Sequence, residues 1–98
     1  MPSTNELIDK IQKNMKQIQR FGVKNIGLFG SYARNNQSEK SDIDIIVQFD
    51  IAKKTFDNYM DLKFFLENLF LCKVDLVILE AIKPDLKSHI LDTVIYAS

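Results

Sequence analysis

The sequence predicts an α/β chain of the α+β kind: a small mixed sheet of three to four strands with helices packed mainly on one face. Three observations carry that expectation. Apolar residues recur at helical spacing in separate segments, at Leu7 to Ile18, Tyr59 to Leu69 and Leu86 to Ile95. Between them lie short apolar runs of strand length, IGLF, IDIIV and VDLVIL. The two kinds alternate, in the order α-β-α-β-α-β-α, which favours a sheet covered by helices over separate helical and β units.

The first helix has a start signal. Ser3-Thr4-Asn5-Glu6 reads as a capping box, with Ser3 as N-cap and Glu6 reaching back. Leu7, Ile8, Ile11, Met15 and Ile18 form its apolar stripe, and the helix is expected to run to Phe21, with Gly22 as its stop. Ile26 to Phe29 reads as a buried strand. Gly30 then permits a tight turn, and Ser31 is expected to cap a short helix over Tyr32 to Asn35. Residues 35–41 are polar and read as a loop.

Asp42 to Phe49 reads as a second strand. Asp42, Asp44 and Ile46 share one face, while Ile43, Ile45 and Val47 point to the core. Thr55 is expected to cap a helix running to Phe70, with Tyr59, Leu62, Phe65, Leu66 and Leu69 as its stripe. Lys73 to Leu79 reads as a third strand. Pro84 suits the first turn of a last helix, whose buried stripe is expected at Leu86, Ile90, Leu91, Val94 and Ile95.

Composition narrows the function classes. A chain of 98 residues reads as one domain, 1–98, with little room for a separate substrate-binding domain. Thirteen basic residues balance thirteen acidic ones, which argues against a general nucleic-acid grip built on clustered Lys and Arg. The lone Cys72 cannot make an internal disulfide, no apolar stretch approaches membrane-spanning length, and no signal-peptide pattern opens the chain. A cytoplasmic protein is the expectation.

The chemistry concentrates in GSYARNNQSEKSDID, residues 30–44. A glycine turn feeding a helix N-terminus presents backbone N–H groups and a partial positive charge to a phosphate. Gly30-Ser31 alone is weak, since any strand-to-helix turn can contain it. Asp42 and Asp44 say more. Asp is unfavourable in strands, and two on one face repel unless a cation lies between them. The bland alternative is that Asp42 merely starts the strand and Asp44 faces solvent. Asp75, flanked by residues that look buried, can reach the same face if its strand lies beside that of Asp44. Three carboxylates can hold one or two Mg²⁺ ions, or Asp75 can serve as a general base. Arg34 is placed to contact phosphate, or else is a solvated helix residue. Lys40 reads as loop charge. His89 lacks a second His or Cys for a transition metal and reads as structural or surface, and Cys72 as a core or strand-edge thiol. Tyr32 and the phenylalanines of FDNYMDLKFFLENLF read as core, with some of them available for a partner-binding face.

Gly-Ser, ten residues, then Asp-x-Asp resembles the signature of the nucleotidyltransferase superfamily of DNA polymerase β. The short length, the ARN after GSY, and SDIDIIV followed by KVDLVIL resemble its minimal (MNT-type) members. The resemblance covers about Ile26 to Leu79 and implies the nucleotidyltransferase fold. It implies ATP and Mg²⁺ as substrate and cofactor, with transfer of AMP to an acceptor. By position, Gly30 and Ser31 would hold the triphosphate, Asp42 and Asp44 the metals, and Asp75 would be the third carboxylate. The implied partner is a HEPN-domain ribonuclease toxin, adenylylated on a tyrosine by its antitoxin. Asn35 departs from the glycine that many relatives carry there, a mild change because Asn tolerates a left-handed backbone.

Two other functions compete. One is a binding module that neutralises its partner sterically, its acids unused in catalysis. The other is nucleotidyl transfer to a small molecule, which would need an acceptor pocket that this short chain lacks unless it forms homo-oligomers. Transfer to RNA fits poorly with zero net charge.

Overall fold

A computed structural model describes residues 2–34 and 42–97. Along the chain run α1 (Thr4–Lys13), α2 (Met15–Arg20), β1 (Val23–Phe29), α3 (Gly30–Ala33), β2 (Ile43–Phe49), α4 (Phe56–Phe70), β3 (Val74–Ile78), α5 (Pro84–Leu91) and β4 (Ile95–Tyr96). The strands form one mixed sheet in the order β3-β2-β1-β4. β1 is antiparallel to both β2 and β4, and β2 is parallel to β3. The expected mixed sheet is therefore present, with four strands.

The N-terminal helix starts as its sequence dictates: the Ser3 side chain accepts from Glu6 N–H at 3.1 Å. It does not run unbroken to Phe21. Asn14 leaves the helical conformation (φ −108°), and its side-chain amide donates to the Lys10 carbonyl at 2.8 Å. A side chain that competes for a backbone carbonyl is a common cause of such breaks. Leu7, Ile11 and Ile18 stay on one buried face across the break.

β1 begins three residues before the expected start. Gly22, at φ +91°, turns the chain, and its carbonyl accepts from Asp50 N–H at 2.8 Å, so Val23 already pairs with Phe49. A bulge between Val23 and Asn25 absorbs the register shift, and the Asn25 amide bonds Gln48 across the strands. Polar residues at 24 and 25 had hidden this extension.

The helix over 56–70 matches expectation, capped by the Thr55 side chain, which accepts from Asn58 N–H at 3.1 Å. Leu62, Leu66 and Phe70 are buried, and Tyr59, Phe65 and Leu69 pack against the same core. Phe65 also meets Phe21, ring centroids 5.6 Å apart. The phenylalanines divide: Phe56 and Phe64 are exposed rather than core. Ile43, Ile45 and Val47 face this helical layer, as strand alternation required.

The C-terminus departs most. Pro84 does open a helix, but that helix stops at Leu91 and buries none of its residues; Leu86 and Leu91 are exposed. Thr93 ends it by bonding the Ile90 carbonyl through both its N–H and its hydroxyl. Ile95 and Tyr96 then pair with Leu28 and Gly27 as an edge strand. A run of β-branched and aromatic residues, TVIY, satisfied helical spacing by coincidence, and pairing with β1 outweighed it.

Candidate active site

Asp44 sits in β2, an inner strand, and Asp75 in β3, the outer strand beside it. The parallel register makes Asp44 and Asp75 direct neighbours, a strand spacing of about 4.8 Å apart at the backbone. Both lie on the face opposite Ile43 and Ile45, away from the helical layer. Across from Asp44 on β1 is Phe29, the residue before Gly30. Strand pairing thus gathers the glycine turn and two acids at the end of the sheet where β1 finishes and β2 and β3 begin. Asp42 precedes β2 and is exposed.

Gly30 adopts φ +70°, a conformation that side chains disfavour. Space forbids a side chain as well. A Cβ at Gly30 would collide with Asp44 Oδ2 and lie 2.9 Å from its Cγ. The turn is therefore glycine because the Asp44 carboxylate lies directly against it. That carboxylate also accepts from the Ser31 backbone N–H. Ser31 does not cap α3; the N-cap position is Phe29, which offers no side-chain bond. Residues 35–41, including Asn35 and Lys40, lie outside the described residues.

Electrostatics tie the group together. Burial pushes the Asp44 carboxyl above its usual range, and the charges of Asp75 and then Asp42 push it further. Arg34 and the Ser31 N–H pull the other way without prevailing. Arg34 is exposed, at the C-terminal end of α3, with its N–H bonded to the Gly30 carbonyl. Ser31, Arg34, Asp42 and Asp75 thus all act on Asp44. Among the described residues, no three His, Cys, Asp or Glu side chains are closed into a metal-ligand set. The donor set is nonetheless all carboxylate oxygen, and its like charges converge on one acid, which suits a hard divalent cation. His89 is exposed and Cys72 half-buried, neither at this cluster by any described bond.

Sequence reading missed what holds the turn. Tyr32 is buried, as expected of a core residue, and burial raises its phenol above the ordinary value. Its carbonyl accepts from the Thr4 hydroxyl at 2.5 Å, tying α3 to the start of α1. Nothing local marks a bond between residues 28 apart.

The model of the nucleotidyltransferase domain family matches residues 8–97. A Methanocaldococcus jannaschii protein, assigned provisionally as a protein adenylyltransferase, is 43% identical over 98 residues, covering 98% of this chain and 99% of its own length. Among solved structures, one provisionally described as a minimal nucleotidyltransferase superposes with TM-score 0.84 at 29% identity, covering 96% of this chain and 95% of that one. A toxin–antitoxin crystal structure with AMP-PNP gives TM-score 0.70 at 25% identity, over 89% of this chain and 72% of that one. The chain belongs to the nucleotidyltransferase domain family. Within it, it sits with the minimal members, and it is an enzyme of nucleotidyl transfer.

Proposed function

We propose that this protein transfers AMP from ATP, with Mg²⁺, to the hydroxyl of a tyrosine on a partner HEPN-domain toxin, and so acts as its antitoxin. The observation that carries the reading is the carboxylate of Asp44, set against a glycine turn and raised by burial and then by the charges of Asp75 and Asp42. Such an arrangement is costly without a cation and useful with one. The adenylyltransferase assignment of the Methanocaldococcus relative supports AMP as the transferred group. The nucleotide-bearing toxin–antitoxin neighbour supports ATP and the antitoxin role. The HEPN partner rests on the family resemblance.

Asp42 and Asp44 would hold the metal, which when bound neutralises charge on the phosphates and on the leaving pyrophosphate. The chain supplies the rest. Gly30 and Ser31 hold the triphosphate against the end of β1, and Arg34 contacts a phosphate oxygen. The acceptor oxygen bonds to the α-phosphorus as the bond to pyrophosphate breaks, and the acceptor proton passes to the Asp75 carboxylate. Asp75 suits that role by position, exposed on the outer strand where a second protein can approach.

The test is to incubate the protein with Mg²⁺, ATP labelled at the α-phosphate and a lysate of its own cells. A labelled protein band, absent with Asp44→Ala, is expected. A band that survives Asp44→Ala would overturn the assignment of the site. ATP binding without any labelled protein would overturn the protein acceptor.

A further inference from the structure

β3 is the outer strand on its side of the sheet. Its parallel register with β2, and the bond from Ile43 N–H to the Lys73 carbonyl at 3.0 Å, set which backbone groups point inward. Residues 73, 75 and 77 face β2, so the N–H and carbonyl groups of Val74 and Leu76 face outward. Outward groups on an edge strand ordinarily meet water or another chain. Here they meet α4. Val74 N–H donates to Glu67 Oε2 at 3.2 Å, and the Tyr59 hydroxyl donates to the Leu76 carbonyl at 2.6 Å. Tyr59 and Glu67 are eight residues apart, about two helical turns, and so share a face of α4. The two bonds grip the strand on either side of Asp75.

That placement matters because of the register. Asp44 and Asp75 are direct neighbours on one face, two like charges side by side. Their repulsion acts to spread β3 away from β2, and β3 has a strand on only one side to resist it. We infer that Tyr59 and Glu67 are positioning residues, latching β3 to α4 so that the Asp75 carboxylate is held beside Asp44 for transfer. The inference rests on the reading in which Asp75 takes part in the reaction. Side chains that orient a ligating or reacting group from behind typically contribute 10–100-fold to activity.

The experiment compares Tyr59→Phe, Glu67→Ala and Glu67→Gln with wild type, with Asp75→Ala as control. Phe keeps the ring and removes only the hydroxyl; Gln keeps an acceptor oxygen. Two readouts are taken: amide hydrogen exchange in the free protein, and label transfer from ATP in the lysate assay. In Tyr59→Phe and Glu67→Ala, the amides of Asp75 and Val77 should exchange about tenfold faster or more, with Leu28 and Ile46, which face away from β3, unchanged. Transfer should fall about 10–100-fold in kcat with KM for ATP unchanged, and Glu67→Gln should restore both. Wild-type transfer in both latch variants would overturn the inference. So would loss of protection spread evenly over the sheet, which marks a merely structural bond. Transfer that persists in Asp75→Ala would instead overturn the role of Asp75, whatever the exchange shows.

Discussion

Asp44 is a poor choice for folding at the position where the proposed reaction calls for an acid. In the folded protein its carboxyl is raised by burial, by Asp75 and by Asp42, whereas in the unfolded chain it titrates at its ordinary value near 3.8. Between those two values the folded state binds more protons than the unfolded state. Stability contributed at this site therefore falls as pH rises through that window and stays lower above it. Asp44→Asn keeps an acceptor for the Ser31 N–H and removes the charge. In metal-free buffer, thermal melts from pH 4 to pH 7 should show the variant melting above wild type at neutral pH. Its stability should lack the wild-type decline. A variant that melts lower than wild type at pH 7 would show that the carboxylate is a stabilising group, against its placement. Gly30 is the complement of this acid. Its left-handed φ could be met by asparagine, but the Asp44 oxygen beside its Cα excludes any side chain.

At the scale of elements, the connection between α4 and β3 carries visible strain. α4 ends with Leu71 in the left-handed conformation, φ 54° and ψ 40°, a position usually given to glycine. Leu71 is 89% exposed, so its side chain contributes almost no burial in return. A left-handed non-glycine residue costs about 1–2 kcal/mol, and glycine's extra unfolded-state entropy returns about 0.5–1 kcal/mol of that. Leu71→Gly should therefore stabilise the protein by about 0.5–1 kcal/mol in urea unfolding at unchanged m. A loss of stability would mean that Leu71 packs against something in the folded protein. The same stretch positions the site: Glu67 and Tyr59 lie on the helix before the turn, and Asp75 lies just after it. On the proposed reading of the site, stiffness here bears on the placement of Asp75 as well as on the fold.

For the whole molecule, the sheet has a division of labour. One face is closed by α1, α2 and α4 over a core of aliphatic and aromatic residues; the acids occupy the other face at one end. Among the described residues no helix is long and apolar enough to cross a membrane. Binding to the folded state alone stabilises it by mass action, about 2.7 kcal/mol when free ligand is a hundred times Kd. Mg²⁺ with ATP should raise the melting temperature of wild type, and ATP with chelator should raise it less. Asp44→Ala should lose the magnesium-dependent part. Equal shifts with and without magnesium would count against the acids as metal ligands.

The sequence by itself determined the alternation of elements, the helical stripes, the start of α1 at Ser3 and of α4 at Thr55, and the cluster of candidate groups from Gly30 to Asp44. These are legible because capping, periodicity and Asp in a strand are local signals. It did not determine the break at Asn14, the early start of β1, or the last strand. The two strand differences depend on pairing with groups elsewhere in the chain, and the break at Asn14 on a side-chain bond to Lys10 that helical periodicity does not register. Nor could spacing alone place Asp75 level with Asp44, since strand order and register are set by which hydrophobic faces meet. The collision that makes Gly30 obligatory, the Thr4 bond to Tyr32 and the two bonds around Asp75 were decided by tertiary structure for the same reason. They join residues that become neighbours only when the sheet and its helical layer close on a common core.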